Sequence, residues 1–147
     1  PILDLRARGM GAAAYIAALE GLLLDTLTTF GIEAGLVMGR RGVWIGSDKI
    51  AALGIRVQGG VSLHGVALNV TPDLHWFDAI VPCGLADAGV TSMTHVLGHP
   101  VAVDEVRTAM RAAFERRFDA RLVEVPEAEA RAALAAAPVA EREAVSA

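Results

Sequence analysis

Tyr15, Leu19, Leu22, Leu23, Thr26, Leu27 and Phe30 recur at three- and four-residue steps across residues 10–30, the spacing of one helix face. Gly31 follows directly, where a glycine ends a helix by taking the left-handed conformation without a Cβ clash. Beyond it the period changes. Short Val/Ile/Leu-rich runs at residues 36–38, 43–45, 49–57 and 61–70 are separated by glycines, the texture of strands joined by tight turns. One strong helix followed by consecutive strands, without regular alternation of the two, predicts an α+β fold.

The other elements follow from the same kind of signal. Gln58-Gly59-Gly60 is a good hairpin connection, because glycine accepts positive φ, so 49–57 and 61–70 are expected to be antiparallel neighbours. Residues 1–5 read as the end of a strand. Residues 71–100 carry Pro72, Pro82, Gly84, Gly89, Gly98 and Pro100 and are expected to be loop-rich with short helical pieces. A second amphipathic helix is expected over 104–118, with Val106, Met110, Phe114 and Phe118 on one side. Its acidic residues stand at the start and Arg116–Arg117 near the end, as the helix dipole favours. Residues 122–125 are expected to form a last strand. We expect one domain over 1–125 and an Ala/Glu/Arg-rich peripheral tail over 126–147.

The net charge of −4 argues against nucleic acid as the main partner, since phosphate backbones call for clustered Lys and Arg. No uninterrupted run of roughly 18 apolar residues predicts a membrane span. The single cysteine suits a reducing, cytoplasmic setting. The chain opens at Pro1 into apolar residues, without an initiator Met, and is expected to lack N-terminal sequence.

Two residues stand out chemically. Cys83 lies in Val81-Pro82-Cys83-Gly84-Leu85, where proline fixes φ and glycine lets the chain turn beside the sulfur. A buried structural cysteine is the competing reading. Lys49 begins an apolar run, Lys49-Ile50-Ala51-Ala52-Leu53-Gly54; a lysine there either marks the solvated start of a strand or lowers a thiol's pKa and shuttles protons. His64 is expected in a strand, either orienting substrate or holding a structural hydrogen bond. His75, His95 and His99 form no metal pattern with Cys83, and HExxH, CxxC and Gly-x-Ser-x-Gly are all absent. No metal is expected.

Six stretches, taken in order, resemble the lipoyl(octanoyl) transferases: Pro1 to Arg6, Gly42-Val43-Trp44-Ile45-Gly46, Asp48 to Arg56, His64 to Val70, Trp76 to Gly84, and Gly89-Val90-Thr91-Ser92. The resemblance covers residues 1 to about 118. It implies the fold of biotin and lipoate protein ligases, a mixed sheet flanked by helices. It also implies that an N-terminal portion is missing, with an Arg-Gly-Gly stretch and a His-Gly-Pro-Gly-Gln motif that complete the acyl pocket.

The implied reaction is two acyl transfers in lipoate biosynthesis. Cys83 matches the acyl-carrying nucleophile and Lys49 the acid/base that lowers its pKa. Ala52-Leu53-Gly54 and Gly65-Val66-Ala67 match segments lining the substrate pocket, with His64 beside them. The implied donor is octanoyl-acyl carrier protein. The implied acceptors are lipoyl domains of 2-oxoacid dehydrogenase complexes and the glycine cleavage H protein. One thioester replaces another and the product is an amide, so no cofactor or ATP is implied. The alternatives are an ATP-dependent lipoate or biotin ligase on the same fold, and a non-catalytic fragment that binds acyl carrier protein or a lipoyl domain.

Overall fold

The computed structural model describes residues 1–79 and 88–136. The chain begins as an extended segment in which Asp4 forms an isolated antiparallel bridge to Val61. Around it the Leu5 N–H donates to the Gly60 carbonyl and the Ser62 N–H to the Leu3 carbonyl, both at 2.9 Å. The expected strand end is thus one bridge long.

Helix α1, Ala12–Thr29, takes its place from the apolar periodicity, and Tyr15, Leu19, Leu23 and Leu27 are fully buried. Its end follows from local chemistry. Gly31 has φ +72°, the Ile32 N–H reaches the Leu27 carbonyl at 3.1 Å and the Gly31 N–H the Thr28 carbonyl at 3.0 Å. This paired pattern satisfies the last carbonyls, and it brings buried Ile32 against buried Leu27. By length and composition alone α1 could cross a bilayer, so the lack of an uninterrupted apolar run does not by itself exclude a span. Its buried face packs on α3 and the sheet, the position of a core helix.

Four antiparallel strands follow as a meander: β1 Gly35–Val37, β2 Arg40–Ile45, β3 Asp48–Gln58 and β4 Val61–Leu68. Pairs Val37↔Arg40, Ile45↔Asp48 and Gln58↔Val61 close the three hairpins over two-residue loops. In the last, Gly59 and Gly60 have φ +57° and +82°, the pair of positive values that matches a two-residue turn to strand twist. A 3₁₀ helix, Leu74–Ala79, and the two-residue strand β5, Gly89–Val90, come next. β5 pairs parallel with β3 through Asp48↔Gly89 and Lys49↔Val90, so the sheet is mixed, as the resemblance implies.

Helix α2, Met93–Leu97, starts at Ser92, whose hydroxyl accepts from the His95 N–H at 3.2 Å. Helix α3, Val103–Phe118, buries Val106, Phe114 and Phe118. Phe118 meets Phe114 in a stack at 4.5 Å and Tyr15 edge-on at 6.0 Å, which joins α3 to α1. Arg117 crosses α1 where Gly21 leaves room and donates twice to Asp25, each at 2.7 Å. Hydrogen bonding to that guanidinium holds the Asp25 carboxyl below its ordinary range. Leu53, Ile55, Val66 and Leu68 pack against this helical layer. The other face of β3 and β4 carries exposed Ala52, Gly54 and Ala67.

Residues 122–125 do not form a strand. The Leu122 N–H donates to a Glu115 carboxylate oxygen, a side chain in place of a ladder partner, and the Glu124 carboxylate accepts from the Arg111 guanidinium. Helix α4, Glu127–Ala136, follows with no buried residue.

Candidate acyl-binding groove and its lysine

The register of β3 and β4 is what assembles the groove. Ala52 faces Ala67, Leu53 faces Val66 and Gly54 faces Gly65. Directly opposed residues share a sheet face, and alternate residues along a strand share it too. Ala52, Gly54, Gly65 and Ala67 therefore form one patch carrying two methyl groups and two bare Cα atoms. With the backbone of Leu53 and Val66 between them, they line an open groove of about 390 Å³, within the ~300–1,000 Å³ of small-molecule sites. A Cβ at Gly54 would meet nothing within 4 Å. Gly65 is different: φ is +154° and a Cβ would meet Pro1 Cδ at 3.0 Å.

Lys49 reaches its position through a β-bulge. Trp44 pairs with Lys49 and Val43 with Ala51, so one step along β2 is matched by two along β3, with Ile50 the extra residue. A bulge of this kind re-aims side chains. Its result is that consecutive Ile50 and Ala51 are both buried, and Lys49 leaves the alternation that would place it beside Ala51 and Leu53 on the core side. Lys49 is half-buried, and its Nζ lies 4.8 Å from the centroid of the Trp44 ring. Buried Gly42 has φ +119° beneath it; a Cβ there would be 2.6 Å from the Ala51 carbonyl oxygen and 3.3 Å from Lys49 Cε. Lys49 is the only lysine in the chain, as Cys83 is the only cysteine. It precedes the groove residue Ala52 by three positions, ~10 Å of strand.

His64 pairs with Ile55 in the next register position beyond the glycines. Strict alternation would turn it inward with Ser62 and Val66. It has φ +65° instead, a left-handed backbone that is uncommon outside glycine, and its side chain is exposed. It does not line the groove. The structure thus brings six expected pocket residues together and sets Lys49 and His64 near opposite ends. Cys83 lies outside the described residues.

Sequence reasoning missed Trp44 and Gly42 as neighbours of Lys49. The signal was present in Gly42-Val43-Trp44, but the bulge that joins it to Lys49 has no sequence mark. A second groove, about 370 Å³, is lined by Leu19, Leu22, Met110 and Phe114 among others. Its lining is almost wholly apolar and lies on the helical side. Arg107 and Arg111 also line it, but their guanidiniums are bonded to Asp104 and Glu124, so it is the weaker candidate for chemistry. Among the described residues, no three His, Cys, Asp or Glu side chains converge as metal ligands.

Comparison with known proteins agrees with this architecture. An octanoyltransferase of Caulobacter vibrioides is 44% identical over 125 residues, covering 80% of this chain and 55% of the relative. The chain spans about half the length of the curated relatives it matches. Among solved structures, lipoate-protein ligase A bound with ATP superposes with a TM-score of 0.66 at 20% identity, covering 86% of this chain and 55% of that one. A bi-partite lipoate protein ligase of Thermoplasma acidophilum, solved in a study that includes its E2 lipoyl domain, gives 0.64 at 21% identity over 86% and 54%. These two likenesses establish the fold, biotin and lipoate ligase-like. The lipoyl protein ligase A/B catalytic domain matches residues 1–115, and the chain belongs to that family.

Proposed function

We propose that the chain is an acyltransferase that moves octanoyl from acyl carrier protein to a lysine of a lipoyl domain through a thioester on Cys83. The observation that carries the reading is the groove. Ala52-Leu53-Gly54 and Gly65-Val66-Ala67 meet in register and leave an apolar trough without long side chains, suited to an alkyl chain. The octanoyltransferase relatives supply the acyl length. The E2 lipoyl domain studied with the Thermoplasma ligase supports a lipoyl domain as acceptor; the glycine cleavage H protein belongs to the same acceptor class.

In the first step the Cys83 thiolate adds to the carbonyl of the carrier's thioester. The carrier's thiolate leaves and takes a proton. In the second, the acceptor lysine's amine adds to the enzyme thioester, the Cys83 thiolate leaves, and an amide forms. Lys49, an ammonium beside the Cys83 thiolate, gives its proton to the departing carrier thiolate in the first step; as a neutral amine it then takes the acceptor amine's proton in the second, which restores the ammonium beside the released thiolate. Each tetrahedral intermediate needs donors for its oxyanion. β2 pairs with β3 only as far as Ala51, and among the described residues no strand occupies that edge at Leu53 and Gly54. The Asn69 N–H bonds the Ile50 carbonyl, so strand alternation turns the Gly54 N–H toward β4 and the Leu53 N–H toward this edge, and the Leu53 N–H is the donor we assign. A reducing, cytoplasmic setting suits the single thiol.

The test is intact mass after incubation with octanoyl-acyl carrier protein, with and without ATP. One octanoyl adduct, formed without ATP, removed by hydroxylamine and absent in Cys83→Ser, is expected. An adduct that requires ATP would transfer the chain to the ligase reading. Carrier binding without any adduct would make it a binding module.

A further inference from the structure

Trp44 is 2% exposed yet stands outside the main hydrophobic cluster, which includes its neighbour Val43. Part of what covers it is cationic: Lys49 Nζ lies 4.8 Å from the ring centroid and the Arg40 guanidinium carbon 5.8 Å. The indole Nε1 donates to the Arg40 carbonyl at 3.3 Å, which fixes the ring plane. Trp44 and Lys49 are direct cross-strand partners beside the Ile50 bulge, so both side chains leave the sheet on one face. Gly42 keeps the space beneath the lysine stem open.

We propose that Trp44 is a positioning residue for Lys49, its indole face holding the ammonium at a fixed place beside the groove by cation–π attraction. An indole is the strongest side-chain partner for such a contact. Contact with the ring narrows the rotamers open to the long lysine stem, and each misplaced rotamer removes the proton relay from the reacting atoms. The proposal rests on the acyl-transfer reading, in which Lys49 handles the proton.

Fluorination of the indole tests it, because each fluorine weakens the ring's quadrupole with little change in shape. The chain has two tryptophans, and Trp76 is 77% exposed, so Trp76→Phe leaves Trp44 as the only site of incorporation. Two readouts follow on the same samples. The ε-methylene NMR signal of the only lysine reports ring-current contact. Octanoyl transfer from acyl carrier protein to a lipoyl domain gives kcat and KM separately. We expect an upfield-shifted ε-methylene signal that moves toward the free-lysine position as fluorines are added. We expect kcat to fall by about threefold to tenfold across the series, with KM for the carrier unchanged. Trp44→Phe should fall within that range.

A lysine signal indifferent to fluorination overturns the contact. A moving signal with unchanged kcat overturns the positioning role. If fluorination slows residual transfer equally in Lys49→Ala, Trp44 acts through another group and the proposal fails. A moving signal with no acyl transfer in any sample, parent included, overturns the functional reading and leaves the contact standing.

Discussion

Gly54 lies directly opposite Gly65 across β3 and β4, and the two missing side chains make the floor of the groove. Only one of them is required by the backbone. Gly65 has φ +154°, whereas Gly54 adopts a conformation open to other residues and a Cβ there points into empty space. Gly54→Val should therefore leave the fold intact or raise its stability by up to ~1 kcal/mol. The added methyls occupy the acyl trough, so kcat/KM for octanoyl transfer should fall roughly tenfold or more. A butanoyl donor should be affected far less. Thermal unfolding with a two-donor kinetic comparison checks both halves, and equal losses for the two donors would move the acyl chain elsewhere.

His64 keeps a left-handed φ of +65° within a strand, a conformation that costs an L-residue roughly 1–2 kcal/mol. His64→Gly should change stability by no more than about 1 kcal/mol, on the favourable side, while His64→Val should lose at least that much. Urea unfolding of the three proteins checks the order. If the imidazole orients substrate, His64→Gly also lowers transfer; unchanged transfer would leave His64 without that role.

At Gly42 a side chain would crowd the Lys49 stem, with a Cβ 3.3 Å from Lys49 Cε. Gly42→Ala meets both an unfavourable φ of +119° and the Ala51 carbonyl, so it should cost about 1–3 kcal/mol. The same methyl displaces Lys49 Cε. Alkylation of Cys83 near neutral pH should slow in Gly42→Ala, as it should in Lys49→Ala. Iodoacetamide kinetics followed by mass give the answer, and parental rates in both variants would sever Lys49 from the thiol.

The Arg117–Asp25 pair gives a pH dependence of known sign. Hydrogen bonding to Arg117 lowers the Asp25 carboxyl in the folded state, so its contribution is complete above the unfolded value of ~3.9 and is lost as pH falls through the lower folded one. Both side chains are partly solvated, at 43% and 30% exposure, which keeps the contribution near ~1 kcal/mol. The stability gap between the parent and Asp25→Asn should be constant from neutral pH to about pH 5 and close in stronger acid. A gap that widens in acid would contradict the assignment.

Much of this was legible because it depends on local chemistry. The helix ending at Gly31 and the Gly59-Gly60 hairpin are set by periodicity and by glycine's freedom at positive φ. Once the hairpin is placed, the register follows; that the residues it sets opposite one another line a pocket was implied only by the family resemblance. The bulge at Ile50 was not legible. Lys49-Ile50-Ala51 reads as ordinary strand, and the extra residue appears only when β2 is laid beside it. β5 was missed because two residues carry no period and its pairing is made by a distant strand. Leu122 to Val125 misled for the opposite reason. Its β-favouring residues meet no sheet edge, and Val123 and Val125 stay 72% and 51% exposed.

The most direct test follows the octanoyl group to its acceptor. The chain is incubated with octanoyl-acyl carrier protein and a lipoyl domain, without ATP, and the domain's mass is read after hydroxylamine. A hydroxylamine-resistant octanoyl amide on the lipoyl domain is expected, abolished in Cys83→Ser and formed about 100-fold or more slowly in Lys49→Ala. Amide formation that persists in Cys83→Ser, or that appears only when octanoate and ATP are supplied, would contradict it.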